Sequence, residues 1–278
     1  MKIKETGWTS QDGIKLFTRI WEPDKDIKAV ICLAHGIGEH TGRFLPVAEY
    51  FTASGYAMIG NDMRGHGLSE GKRGHIDSIG VVMDDFDLLL SNTKLMYPGK
   101  PVFLYGQSLG AILVLYHGLT RKPVISGVIA TSPALHSSLD EQPFKIALVK
   151  LLSPLLPSLT LHGGLKPAML TRDVKVVNAY IDDPLVHYQI SLGFGRILIE
   201  IRKWAIESSS GFSLPLLLMH GTSDQIAYIS GSREFASRVT NCTYIEWENA
   251  LHELHHEPEK EEVLKIIKDW IEEQILSH

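Results

Sequence analysis

The sequence predicts an α/β fold: a mostly parallel central sheet flanked by helices and interrupted by a helical insertion. Three observations carry that expectation. Short unbroken Val/Ile/Leu runs alternate with amphipathic stretches in the first half of the chain. Such runs mark strands buried on both faces, as in a parallel sheet under helices. The alternation stops near residue 135 and resumes after about residue 208. The composition is also that of an ordinary globular chain, with 44% hydrophobic and 21% charged residues, which excludes a disordered, collagen-like or disulfide-scaffold protein. A net charge of −5 argues against a nucleic-acid binder. The 278 residues exceed one α/β core of about 200–250 residues but do not fill two large domains.

The elements follow in chain order. Ile14 to Trp21 reads as a strand and Ala29 to Ala34 as a fully buried one. Phe44, Val47, Ala48 and Phe51 keep helical spacing over Arg43 to Ser54, with Pro46 tolerated in the first turn. Tyr56 to Gly60 is a strand. Ile76 to Tyr97 is a long helix with Val82, Phe86, Leu89, Leu90 and Thr93 on one face, stopped by Pro98-Gly99. Val102 to Tyr105 is a strand, Ser108 to Leu119 a helix and Val124 to Ala130 a strand.

From Leu135 to Glu207 no convincing strand appears. The leucines between 148 and 159 keep a helical rhythm that Pro154 and Pro157 break, so two short helices meeting at a corner are expected. Asp182-Asp183-Pro184 is expected to start another helix, and Ser208 to Gly211 to be a linker. Then come a strand at Leu214 to Met219, a helix at Ile229 to Val239, a strand at Cys242 to Trp247 and a final helix at Pro258 to Leu276. The division is therefore a core over 1–135, a helical cap or lid over 136–207, and the remainder of the core over 208–278.

The charged start, Met1 to Glu5, lacks the apolar stretch of a secretory signal. The longest apolar stretch, Ile146 to Leu161, is interrupted by Lys150 and two prolines and is too short for a bilayer of roughly 30 Å. Cys32 and Cys242 read as buried reduced thiols. A soluble, cytoplasmic protein is expected.

The chemistry begins at Gly106-Gln107-Ser108-Leu109-Gly110, which is G-x-S-x-G between a strand and a helix. That context is the one a nucleophile elbow needs: serine on a strained turn, glycines for close backbone packing, and the N–H of Leu109 aimed at whatever Ser108 attacks. A serine nucleophile needs a base and an orienting carboxylate, which in an α/β-hydrolase follow in the order Ser, Asp, His. Asp224 comes just after one late strand and His252 just after the next, with His255 and His256 as rival bases. A tetrahedral intermediate needs two donors. Leu109 supplies one amide, and the loop His35-Gly36-Ile37-Gly38 is expected to supply the amide of Ile37 as the second.

HGIGEHTGRF (35–44), NDMRGHGLSEG (61–71), GQSLGA (106–111), DDPLVHY (182–188), HGTSDQ (220–225) and ALHELHHE (250–257) together resemble the monoacylglycerol lipase and lysophospholipase branch of the α/β-hydrolases, in order and over nearly the whole chain. The resemblance implies a serine hydrolase that cleaves the ester of a single acyl chain on glycerol or a related alcohol. It implies Ser108, Asp224 and His252 as triad, Ile37 and Leu109 as oxyanion donors, and no cofactor or metal. His187 falls in one of these segments and is a candidate substrate contact. That family usually carries His and Met around the serine, where this chain has Gln107 and Leu109. Relatives on the branch hydrolyse lysophospholipids and short esters.

The insertion is expected to cover the site. Leu151, Leu152, Leu155 and Leu156 are candidates to line an acyl slot, to pack the cap on the core, or to dock the cap transiently on lipid aggregates or a membrane surface. Three rival functions stay open. His252-Glu253-Leu254-His255-His256 satisfies H-E-x-x-H, a zinc-peptidase motif, although Pro258 follows closely and no third ligand is evident. A non-catalytic receptor on the same fold would keep its function in a Ser108→Ala variant. A peptidase for free N-termini would need an anionic pocket.

Overall fold

The computed structural model describes residues 1–277. Its centre is an eight-stranded sheet. The strands are β1 (Lys2–Thr9), β2 (Lys15–Glu22), β3 (Ala29–Ala34), β4 (Tyr56–Asn61), β5 (Val102–Gln107), β6 (Gly127–Thr131), β10 (Leu216–Gly221) and β12 (Cys242–Trp247). Their order is β1-β2-β4-β3-β5-β6-β10-β12. Pairing is antiparallel from β1 to β2 and from β2 to β4, and parallel across the rest. The parallel strands β3, β4, β5, β6 and β10 are buried along their whole length, as their continuous apolar runs require.

Helices cover both faces. On one lie α1 (Leu45–Ala53) and α8 (Lys260–Leu276), whose Phe51, Val263, Ile267, Trp270 and Ile271 are buried against Ile31, Phe103 and Leu217. On the other, α2 (Ile79–Met96), α3 (Leu109–Thr120) and α7 (Ile229–Ala236) share a core that includes Phe86, Ile112 and Phe235. The expected face of α2 is the buried one, and the helix starts at Ser78, whose hydroxyl accepts the N–H of Val81.

Between β6 and β10 the chain leaves the sheet. It forms β7 (His136–Ser137), α4 (Pro143–Leu152), β8 (Thr160–His162), α5 (Val174–Asp182), β9 (Gln189–Ser191) and α6 (Leu192–Glu207). β8 pairs antiparallel with β9, and β7 with β11 (Ala227–Tyr228). The second part of α6 returns to the core, where Ile201, Ala205 and Ile206 join the cluster of α3. Among the described residues no helix is long and apolar enough to cross a membrane.

Five local expectations are corrected. β1 was not anticipated, because its charged alternation buries little beyond part of Trp8 and its place is set by pairing with β2. The strand expected from Val124 begins at Gly127, and Val124 is exposed. After α4 there is no second helix: turns at Leu155, Leu156 and Leu159 lead into β8, because Pro154 and Pro157 withhold amide donors. Asp182-Asp183-Pro184 ends a helix rather than starting one. Asp183 is extended (ψ 114), as the residue before a proline tends to be. Ser208 to Gly211 is no loose linker but a short 3-10 turn with Ser209 buried. Cys32 is buried and Cys242 half-buried, and both are free thiols.

Candidate active site

Ser108 stands between β5 and α3 with φ 53 and ψ −112, a left-handed strain that serine adopts only where neighbours impose it. Those neighbours are identifiable. A Cβ on Gly110 would run into the Ala34 carbonyl of β3, and one on Gly106 into the backbone of Gly110. The elbow thus needs both glycines for close approach. The Ser108 N–H is held by the Thr131 carbonyl of β6 at 2.9 Å. Leu109 opens α3, so its N–H has no acceptor four residues back within the helix.

Asp224 and His252 lie on the loops after β10 and β12. His252 Nδ1 donates to Asp224 Oδ2 at 2.7 Å, and both side chains are buried. Asp224 Oδ1 accepts the backbone N–H groups of Ile226 (2.8 Å) and Ala227 (3.0 Å), which fixes the carboxylate. Burial by itself would raise the Asp224 pKa, but His252 and His220 outweigh it and hold the group well below the usual carboxylate range. Burial also disfavours the His252 cation, and here the Asp224 carboxylate, helped by Glu253 and Glu39, prevails and lifts its pKa. Among the described residues Ser108 Oγ makes no hydrogen bond to His252, a contact that commonly tightens only with substrate bound.

The raised His252 pKa sets a pH dependence. The base works as neutral imidazole, so kcat/KM should rise with pH, with a midpoint above the ordinary histidine value of about 6.5. Initial rates on a soluble ester from pH 5 to 9 test this. A midpoint below that value, or a flat profile, would contradict the assignment.

The loop from His35 to Gly38 follows β3. The Gly36 N–H donates to Glu39 Oε1 at 2.6 Å. Gly38 has φ +76, and a Cβ there would strike the His187 carbonyl. The N–H of His187 in turn donates to the Gly38 carbonyl at 2.8 Å. His187 therefore braces the loop through its backbone, while its Nε2 donates to the Gly65 carbonyl at 3.1 Å. A second tie joins His40 Nε2 to Asp183 Oδ2 at 2.8 Å.

A cavity of about 690 Å³ opens beside Ile37, His187 and Asp224, with Val149, Leu161 and Ile190 among its apolar walls. Of the proposed slot leucines, none lines it. Leu151, Leu155 and Leu156 are exposed and Leu152 is half-buried; α4 ends at Leu152, and Leu155 and Leu156 stand on the turns that follow it. The acyl-slot expectation for these four is corrected accordingly.

The rival bases and the H-E-x-x-H segment have surroundings unlike those of His252. His255 stacks on Phe44 with centroids 4.6 Å apart and is fully buried. His256 Nδ1 lies 2.7 Å from Glu253 Oε2, and its Nε2 lies 3.2 Å from the Arg43 carbonyl oxygen. Neither is bonded to Asp224. Glu253, His255 and His256 could bring donors together, but they lie on a short 3-10 turn and Arg43 grips both Glu253 oxygens at 2.7 Å. A dication about 4 Å from that guanidinium would meet repulsion of roughly 8 kcal/mol at an effective dielectric of about 20.

Sequence reasoning missed His220. Its Nε2 donates to Asp224 Oδ2 (3.1 Å) and the Ala227 carbonyl (3.0 Å), and its Nδ1 accepts from the Ser232 hydroxyl at 2.7 Å. The signal was the i, i+4 spacing to Asp224, hidden because His220 lies within strand β10, where that spacing has no helical meaning. Arg43 and its two carboxylate partners, Glu39 and Glu253, were missed as well, since nothing in the sequence pairs positions 210 residues apart.

Residues 25–259 match the family model described as serine aminopeptidase, S33. The chain belongs to this family. Within and around the S33 family, it is 31% identical over 270 residues to a monoacylglycerol lipase of Mycolicibacterium smegmatis, covering 96% of each chain. An uncharacterized abhydrolase domain-containing protein of Dictyostelium discoideum is 35% identical over 96% of this chain, which spans only 28% of that protein's length. The crystal structure of Paleococcus ferrophilus monoacylglycerol lipase has a TM-score of 0.86 and 34% identity, covering 93% of this chain and 99% of that one. This S33 protein is thus an α/β-fold serine hydrolase in family and architecture.

Proposed function

We propose that this chain is a serine carboxylic-ester hydrolase that releases a fatty acid from monoacylglycerols. The observation that carries the reading is the His252–Asp224 pair on the loops after β12 and β10, at the same carboxyl edge of the parallel sheet as the strained Ser108 elbow after β5, with a largely apolar cavity lined in part by Ile37 and Asp224. The similarity to proteins named monoacylglycerol lipases supports the substrate class.

In this mechanism His252 takes the Ser108 hydroxyl proton as Oγ attacks the ester carbonyl. The oxyanion is held by the amides of Ile37 and Leu109. Collapse expels glycerol, which receives the proton from His252 and leaves an acyl-serine. Water, deprotonated by His252, then attacks the acyl carbonyl, and the fatty acid departs as Ser108 regains its proton. Asp224 holds the imidazole in the tautomer that this exchange needs. His187 acts mainly by bracing the oxyanion loop.

Residues 136–207 serve as the cap between core segments 1–135 and 208–278. Their exposed stripe of Leu151 (69% exposed), Leu155 (77%) and Phe144 (91%) suits transient contact with lipid aggregates. A Leu151→Ser/Leu155→Ser variant should bind vesicles less and hydrolyse dispersed long-chain monoacylglycerol more slowly, with unchanged rates on a soluble short-chain ester. Equal vesicle sedimentation of variant and wild type would refute the contact. Free Cys32 and Cys242 fit a reducing, cytoplasmic setting.

An ester substrate is favoured over a peptide with a free amine. Among the described residues lining the cavity, the one carboxylate is Asp224, already committed to His252 and His220. The test is a panel of monoacylglycerols of graded acyl length, matched lysophospholipids, p-nitrophenyl esters and aminoacyl-naphthylamides. Fastest fatty-acid release from monoacylglycerols is expected. Preference for the aminoacyl amides would overturn the reading.

A further inference from the structure

A buried charge bridge joins the two loops that the mechanism must hold in register. Glu39, two residues beyond Ile37, accepts the Gly36 N–H with one oxygen and pairs with Arg43 through the other. Arg43 then forms a two-pronged bond to Glu253, the residue after His252, at 2.7 Å on each prong. The three side chains are 3%, 7% and 2% exposed. The Arg43 guanidinium also lies 4.6 Å from the Tyr180 ring centroid of α5. The Glu253 N–H donates to the Leu170 carbonyl at 2.7 Å, so the base loop is tied on both sides.

Buried ion pairs seldom stabilise a fold more than apolar packing would, because desolvation cancels most of the attraction. What they supply is geometry: a guanidinium fork accepts a carboxylate in one plane and at one distance. Here that geometry spans the donor loop and the base loop.

We propose that Glu253, acting through Arg43 and Glu39, is a positioning residue that sets His252 against the Ile37 amide. The proposal rests on the catalytic reading above. The titratable and charged groups around His252 are Asp224 after β10 with His220, which shares its Oδ2, Glu39 and Arg43 on the segment after β3, and Glu253, His255 and His256 on its own loop. Glu253 and Glu39 both favour the His252 cation, after the larger opposing effect of burial and the larger support of Asp224.

Glu253→Gln keeps the shape and removes the charge. Rates are taken per active site, counted by labelling Ser108 with a fluorophosphonate, so that misfolded protein does not contribute. Expected are a kcat about tenfold lower, a KM within about twofold of wild type, and an acid midpoint moved to lower pH. Unchanged kcat per labelled site together with an unchanged midpoint would overturn the proposal. If Glu253→Gln does not fold, Glu39→Gln reads the same coupling from the other loop and is expected to lower kcat likewise. A wild type that takes no label at Ser108 would instead defeat the catalytic reading itself.

Discussion

Replacing Ser108 by alanine should lower kcat by about a million-fold, as removal of the nucleophile does in other triads. The expectation follows from the elbow. Ser108 is buried and held by the Thr131 carbonyl, and α3 begins at the next residue. Alanine adopts φ 53 no less readily than serine, so the fold and melting temperature should be unchanged. Fatty-acid release and fluorophosphonate labelling should both vanish while circular dichroism stays that of wild type. Retained labelling at another residue would remove Ser108 from the mechanism. Retained cellular function in this variant would support a non-catalytic receptor.

The second large effect is expected at Asp224. Asparagine is nearly isosteric, yet it presents an N–H₂ or a neutral oxygen where the carboxylate now accepts from His252 and His220. The tautomer of His252 that leaves Nε2 free to take a proton is then no longer enforced. A fall in kcat of about 10⁴-fold is expected, with KM little changed. The lost carboxylate should also lower the His252 pKa, since Asp224 is its main support against burial. The residual activity should therefore titrate at lower pH than wild type. A loss below tenfold would show that Asp224 does not orient the base.

Much of this molecule is legible in the sequence, and the reasons are local. Strands β3, β5 and β10 announce themselves because both faces are buried, so every position must be apolar. The face of α2 is legible because one core-facing stripe recurs at helical spacing. Ser108 is legible because close packing against Ala34 and the return of the chain into α3 demand glycine at fixed offsets. Asp224 and His252 are legible only as an ordered pair of strand-end loop residues, since nothing local separates His252 from His255 or His256.

The remainder depends on residues far apart in the chain. β1 is a strand because β2 offers it an edge, not because its own pattern buries a face. Asp183 and His187 look like part of a helix start, but they serve as two braces on the loop carrying Ile37. The leucines from 151 to 156 share one helical rhythm whether they face a cavity or solvent, and only the folded chain, in which α4 ends at Leu152 and turns follow, leaves three of them exposed. The sequence alone determined the alternating core and the elbow, because each rests on spacing along one strand, helix or turn, and it offered the triad as an ordered set of strand-end residues with rival histidines. Tertiary structure alone decided which histidine meets Asp224, how Arg43 bridges Glu39 to Glu253, and which walls a substrate would meet. Those are contacts between segments whose relative placement is set by the whole packed sheet.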